Sequence, residues 1–234
     1  MPLYSNSDYI KVMRPLPSTW PNDIYGIAYI KKQPLPFSQI GSSIFLTGLN
    51  NASRKDKGSE HKIIHSFAFD SKLAEVYRNP MKFLAKTSKY YGYASPDFSM
   101  HPGMKEWQII QAVGASRWMG AYMQSYGRRA YATVGWVDSS TYNICFAGLE
   151  DGATFFVSTL GVNNDISRQN FLEGLHELIH RFPNSNIVCL GQRIKGMSDK
   201  ICVVPYNESF GTQIHDDGSW QGRLFNWDMT KEDE

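Results

Sequence analysis

The stretch "NFLEGLHELIHRFPNSNIVCLGQ", residues 170–192, sets two hydrophobic periods side by side. At 100° per residue, Phe171, Leu172, Leu175, Leu178, Ile179 and Phe182 fall within one arc of about 100°, the apolar stripe of an amphipathic helix. After Pro183 and Asn184 the pattern changes, and "NIVCLGQ" (186–192) is near-continuously apolar, as in a strand buried on both faces. A helix that delivers the chain straight into such a strand is the return limb of a βαβ crossover. It implies an α/β fold with a largely parallel sheet.

The same alternation extends towards the amino terminus. "KIIHSFAFD" (62–70) reads as a buried strand closing on Asp70, and "NPMKFLAKTSKYYG" (79–92) as a short helix opened by Pro80 and stopped by Gly92. "YASPDFS" (93–99) reads as a strand ending in Asp97 and Ser99. "MKEWQIIQAVGASRWMGAYMQSYG" (104–127) reads as a long helix capped by Gly127. "RAYATVGW" (129–136) is a strand ending near Asp138. The apolar segments "NICFAGL" (143–149) and "ATFFVSTLG" (153–161) read as extended about a turn at Asp151-Gly152. Gly114 and Gly120 each weaken the long helix by about 1 kcal/mol relative to alanine, which implies a neighbour packed close against it.

These elements predict alternating helices and parallel strands, either an open sheet or a partial or complete (β/α) barrel. Residues 1–60 read as an irregular segment with short strands at 24–30 and 42–48, residues 61–192 as the α/β core, and 193–234 as a C-terminal extension with a mobile "KEDE" end. One domain accommodates all three.

The 234 residues are 42% hydrophobic and 20% charged, enough apolar material for a real core. A net charge of +2 does not demand a polyanionic partner. The start, "MPLYSNSDYIKV", lacks the basic and apolar regions of a secretory signal, and no apolar run approaches the ~18 residues of a membrane span. Cys145, Cys189 and Cys202 are odd in number and sit in apolar contexts, the pattern of buried free thiols in a reducing compartment. The expectation is a cytoplasmic protein without membrane contact.

A parallel sheet gathers its ligand-facing loops beyond the carboxyl ends of the strands. Those ends bring Asp70, Asp97 with Ser99, Trp136 with Asp138, and Ser158 towards one opening. Asp70, Asp97, Ser99 and Asp138 are the candidate catalytic groups: paired carboxylates can exchange protons or hold a divalent cation, although no motif requires a cofactor. The competing reading makes each acid a helix cap or turn former. Arg117 and Gln124, seven residues apart, share a helix face and could clamp a phosphate or carboxylate beside Trp136 and Ser158.

"YASPDFSM" (93–100), "ASRWMGAYMQSYG" (115–127), "ATVGWVD" (132–138), "FFVSTLGV" (155–162) and the opening stretch together resemble an uncharacterised protein family of bacteriophages and bacterial mobile elements. The match covers about residues 62–192. Asp97, Ser99, Arg117, Gln124, Trp136 and Ser158 fall on positions that recur in that family. The resemblance implies a phage or mobile-element origin and the cytoplasm of a host cell, and no known reaction.

The function expected from these residues is an accessory protein whose polar strand-end face binds an anionic ligand, a nucleotide or nucleic acid. An alternative is an interaction protein that inhibits or recruits a host protein through aromatic-rich ends, "STWPNDIYGIAY" and "SWQGRLFNW". The third reading rests on His176, Glu177 and His180, whose H-E-x-x-H spacing is that of zinc hydrolases. The apolar stripe of that helix turns these three outward, so a metal site is not favoured.

Overall fold

A computed structural model describes residues 16–33, 35, 37–206, 213–214 and 220–221. The "KEDE" end and all of "SWQGRLFNW" but Trp220 and Gln221 lie outside the described residues.

Seven strands follow one another in chain order across a single sheet: β1 (Phe45–Gly48), β2 (Lys62–His65), β3 (Gly92–Ala94), β4 (Ala130–Thr133), β5 (Thr154–Ser158), β6 (Asn186–Leu190) and β7 (Cys202–Val204). Every neighbouring pair is parallel. β1 and β7 do not pair with each other, so the sheet curls into a half-barrel without closing. β8 (Gln213–Ile214) and β9 (Trp220–Gln221) form a separate antiparallel pair.

The crossovers hold α1 (Asp70–Arg78) and α2 (Pro80–Lys86) between β2 and β3, α3 (Glu106–Ser125) before β4, the single turn α4 (Tyr142–Cys145) before β5, and α5 (Asp165–Arg181) before β6. The segment 143–149 is therefore helical and then looped, not extended. A continuous apolar run is compatible with either form, and Tyr142, Ile144, Cys145, Phe146, Ala147 and Leu149 are all buried. α1 is an addition to the sequence reading, and Asp70 begins it. Segment 24–30 makes only a bridge between Asn22 and Ala28 around a turn at Gly26, φ 74°.

Alternation along the strands divides the core. Leu46, Ile63, Ala94, Tyr131, Phe156, Val188 and Leu190 face one side, where Leu35, Ile40 and Ile44 of the N-terminal segment cover them. Ile64, Tyr93, Phe155, Val157 and Cys189 face the helices, meeting Leu73 of α1, Met119 of α3, and Leu175 and Leu178 of α5. Each fully buried aliphatic or aromatic side chain contributes about 1.5–3 kcal/mol. The sheet thus takes in β1 and β7, which lie outside the 61–192 core expected from the sequence.

The N-terminal segment also crosses the outer side of α3, where Trp20 and Ala28 pack with Ala121. Gly120 answers the question raised by its position: an added Cβ would overlap the side chain of Ile30. α3 is consequently enclosed between sheet and N-terminal segment.

Candidate functional site

The loops that leave the carboxyl ends of the strands surround a groove with two connected hollows. The larger, about 570 Å³, is lined by Asn50, Phe67, Phe69, Asp70, Asp97, Ser99, Ser158 and Tyr206 among others. The second, about 450 Å³, extends towards the start of α5 and adds His101, Trp136, Asn170 and Phe171. Asp97, Ser99, Val134, Gly135, Ser158 and Leu160 line both, so the hollows share a floor. The volumes lie in the range of small-molecule sites.

Asp97 sits on that floor, just past β3. Its backbone amide donates to the carbonyl of Ser66 at 3.4 Å, tying the loop to the end of β2. Its carboxyl group receives no hydrogen bond from the described residues. Burial first, and the nearby Asp70 carboxylate second, push its pKa up to about 7, against an opposing pull from Arg117. Gly135 keeps the space in front of it open, since a Cβ there would lie 3.5 Å from Asp97 Oδ1.

The other strand-end residues have protein partners. Asp70 Oδ1 accepts from the amide and hydroxyl of Ser99 at 3.0 and 3.1 Å, pinning the loop after β3 to the start of α1. Ser158 donates to Leu190 O and accepts from Leu160 N, both at 3.0 Å, fastening the ends of β5 and β6 together. Trp136 forms a wall: its indole donates to Asn170 O at 3.0 Å, stacks on Phe171, and rests on α5 where Gly174 leaves room.

Three candidates lie elsewhere. Asp138 caps the turn before α4, accepting from Ser140 N at 2.9 Å and Ser140 Oγ at 2.6 Å. Gln124 is at the opposite end of β4, bonded to Lys31 and Ala130. Arg117 is buried beneath the groove, and its guanidinium donates to Thr133 O (2.6 Å), Cys145 O (2.9 Å) and Ala147 O (3.0 Å). Burial lowers its pKa to about 10, which leaves it charged at neutral pH. It holds α3, β4 and α4 together and does not line either hollow.

His176 and His180 are exposed on the outer side of α5. Glu177 accepts from Arg181 Nε at 2.7 Å and lies 3.8 Å from His180 Nδ1. Among the described residues no three His, Cys, Asp or Glu side chains are grouped to hold a metal ion. The three cysteines are free thiols, Cys145 and Cys189 buried and Cys202 half-buried. No described helix is long and apolar enough to cross a membrane.

Asn50, Phe67 and Tyr206 belong to the groove but were not among the sequence candidates. Asn50 and Tyr206 follow β1 and β7, so the strand-end rule reaches them once those two strands join the sheet.

Fold and site together define an α/β half-barrel with an open groove over its strand ends. The family model for DUF4417, a domain of unknown function, matches residues 29–207, and the chain belongs to that family. It is similar to the Gene 1 protein of Mycobacterium phage D29, 32% identical over 50% of this chain and 44% of the relative. It is similar also to the Gene 1 protein of Mycobacterium phage L5, 28% identical over 63% of this chain and 66% of the relative. The chain thus spans less than two thirds of either relative's length. No solved structure matches. The phage association expected from the sequence stands on these relatives.

Proposed function

We propose that the strand-end groove binds the polar ring of a molecule of the nucleoside class, with Asp97 as the group that recognises it. The observation that carries this reading is the Asp97 carboxyl, which faces the groove floor without a hydrogen-bond donor from the described residues. Near its pKa of about 7 it can both donate and accept, as an adjacent donor–acceptor pair on a heteroaromatic ring requires. Phe67, Trp136, Phe171 and Tyr206 supply aromatic surface for such a ring, and Asn50 supplies an amide.

The anionic ligand expected from the sequence finds no support on this floor, because among the described residues no lysine or arginine lines either hollow. Any proton exchange with the ligand would fall to Asp97, since Asp70 and Asp138 are engaged by serine residues. Calorimetry with the four common nucleosides tests the reading. Binding by at least one, weakened about tenfold or more in Asp97→Asn, is expected, a loss of about 1.4 kcal/mol. Equal affinity in the variant would refute it.

A second reading, docking of a host protein, is favoured by exposed Phe69, Leu160, Ile166 and Trp107. Phe69 and Leu160 line the groove, and the other two belong to the first turns of α5 and α3. The double variant Phe69→Ser, Ile166→Ser should then lose a host partner that the wild type retains on a column, with nucleoside binding unaltered. Retention of that partner by the variant would count against this reading.

A further inference from the structure

A cleft of about 440 Å³ lies between α1, α2 and the turn after β1, lined by Lys72, Glu75, Lys82, Lys86 and Asn50 over an apolar base. Asn50 also lines the larger hollow of the groove, so the two depressions adjoin. Lys82 and Lys86 are four residues apart and share one face of α2, an arrangement that repels by a few tenths of a kcal/mol. Neither has a carboxylate within ion-pair distance among the described residues, and Lys72 has only a loose contact with Glu75 at 3.9 Å. Three ammonium groups therefore face one carboxylate, beside a groove lined by no lysine or arginine among the described residues.

Resting on the nucleoside reading above, we infer that this cleft seats the phosphate of a ligand whose ring occupies the groove, so that the bound molecule is a nucleotide. Lysine serves such a site as a mobile point charge. The cationic role that the sequence suggested for Arg117 passes to side chains on the neighbouring crossover, where three ammonium groups reach solvent. The division is chemical: carboxyl and aromatic groups take the uncharged ring, and ammonium groups take the anion.

The test compares each nucleoside with its 5′-monophosphate, and with inorganic pyrophosphate, on the full chain by calorimetry at low salt. The monophosphate should bind about tenfold tighter than its nucleoside, an advantage of about 1.4 kcal/mol that salt removes. Lys82→Gln with Lys86→Gln should erase that advantage and leave nucleoside affinity and Tm unchanged. Equal binding of nucleoside and monophosphate, or an advantage that survives the double variant, overturns the phosphate assignment while the nucleoside reading stands. Pyrophosphate binding that the double variant abolishes, with no nucleoside bound, overturns the shared site and the nucleoside reading together. Silence from every probe overturns both.

Discussion

At the amino-terminal ends of the strands, polar side chains find partners within the protein. Gln124 accepts from the amide of Lys31 and donates to the carbonyls of Lys31 and Ala130, while Gln33 accepts from the amide of Ala130. Lys62, at the start of β2, meets Asp56 at 2.6 Å, and Tyr90 donates to the same carboxylate at 2.7 Å. Asp151 accepts from the amide and side chain of Asn184 ahead of β6. At the carboxyl-terminal ends the groove stays open, with Asp97 on its floor and Phe69 exposed at its edge. Both ends have comparable residue types. At one end the polar groups are satisfied by the protein, and at the other the Asp97 carboxyl receives no hydrogen bond from the described residues.

The largest effect should come from the charged group buried beneath the groove and bonded wholly to backbone carbonyls. Arg117→Ala removes three donors at once and leaves the carbonyls of Thr133, Cys145 and Ala147 buried without them. A loss of roughly 3–5 kcal/mol is expected in urea unfolding. Lysine keeps the charge but cannot fork across three carbonyls, so Arg117→Lys should recover only part of it. Full recovery by lysine would mean that charge, and not geometry, is what the site requires.

This pairing also marks how far the sequence could be read. The apolar runs of β2, β4, β5 and β6 and the stripe of α5 announce themselves, because each needs burial on a definite face. α1 does not: of its nine residues only Leu73 is buried, too narrow a stripe to outline a helix. That Asp70, Asp97, Ser99, Trp136 and Ser158 line one groove was legible from the rule that strand ends converge. The destination of Arg117 was not, since a seven-residue spacing fixes a helix face but not the carbonyls waiting beside it. Those carbonyls come from residues 16 to 30 positions further along the chain.

Two groups near the open end carry opposite pH signatures. The raised pKa of Asp97, about 7, means that the folded chain keeps a proton the unfolded chain releases near pH 4. Its stabilisation is therefore present below about pH 4 and lost as pH rises through 7. His65, buried under the groove, is lowered to about 3 by burial. The unfolded chain takes up that proton below about 6.5, so this contribution is lost as pH falls. The two slopes oppose each other between about pH 4 and 6.5, each up to about 1.4 kcal/mol per pH unit, less for the partly exposed Asp97. Relative to wild type, Asp97→Asn should gain stability with rising pH and His65→Gln with falling pH. Parallel curves in guanidinium titrations across that window would show that neither group titrates as its surroundings require.

A smaller change is expected at the saturated end. Gln124→Ala releases the N-terminal segment from α3 and from the start of β4, leaving three backbone groups to water. Because the site is partly exposed, the loss should be about 1–2 kcal/mol. Hydrogen exchange should quicken first at Lys31, whose amide loses its acceptor, while the groove residues keep their protection. Faster exchange around Asp97 instead would mean that the two ends are coupled through β4.

The smallest effect belongs to the most conspicuous motif. His176 and His180 satisfy the spacing of a zinc helix, yet the stripe formed by Phe171, Leu175 and Leu178 fixes which way α5 faces, and it faces the sheet. His180 is left 84% exposed, and Glu177 is engaged by Arg181, which also reaches Asn143 at 2.9 Å. The polar side of α5 thus forms surface contacts with α4 and solvent, in contrast to the groove, where a carboxyl is held in protein with no hydrogen-bond donor among the described residues. His176→Ala and His180→Ala should each shift stability by no more than about 0.5 kcal/mol. Zinc added to the wild-type chain should leave Tm where it was. A zinc-dependent rise in Tm that disappears with His176→Ala would reverse the assignment, since only a helix turned so that both imidazoles converge on one ion could produce it.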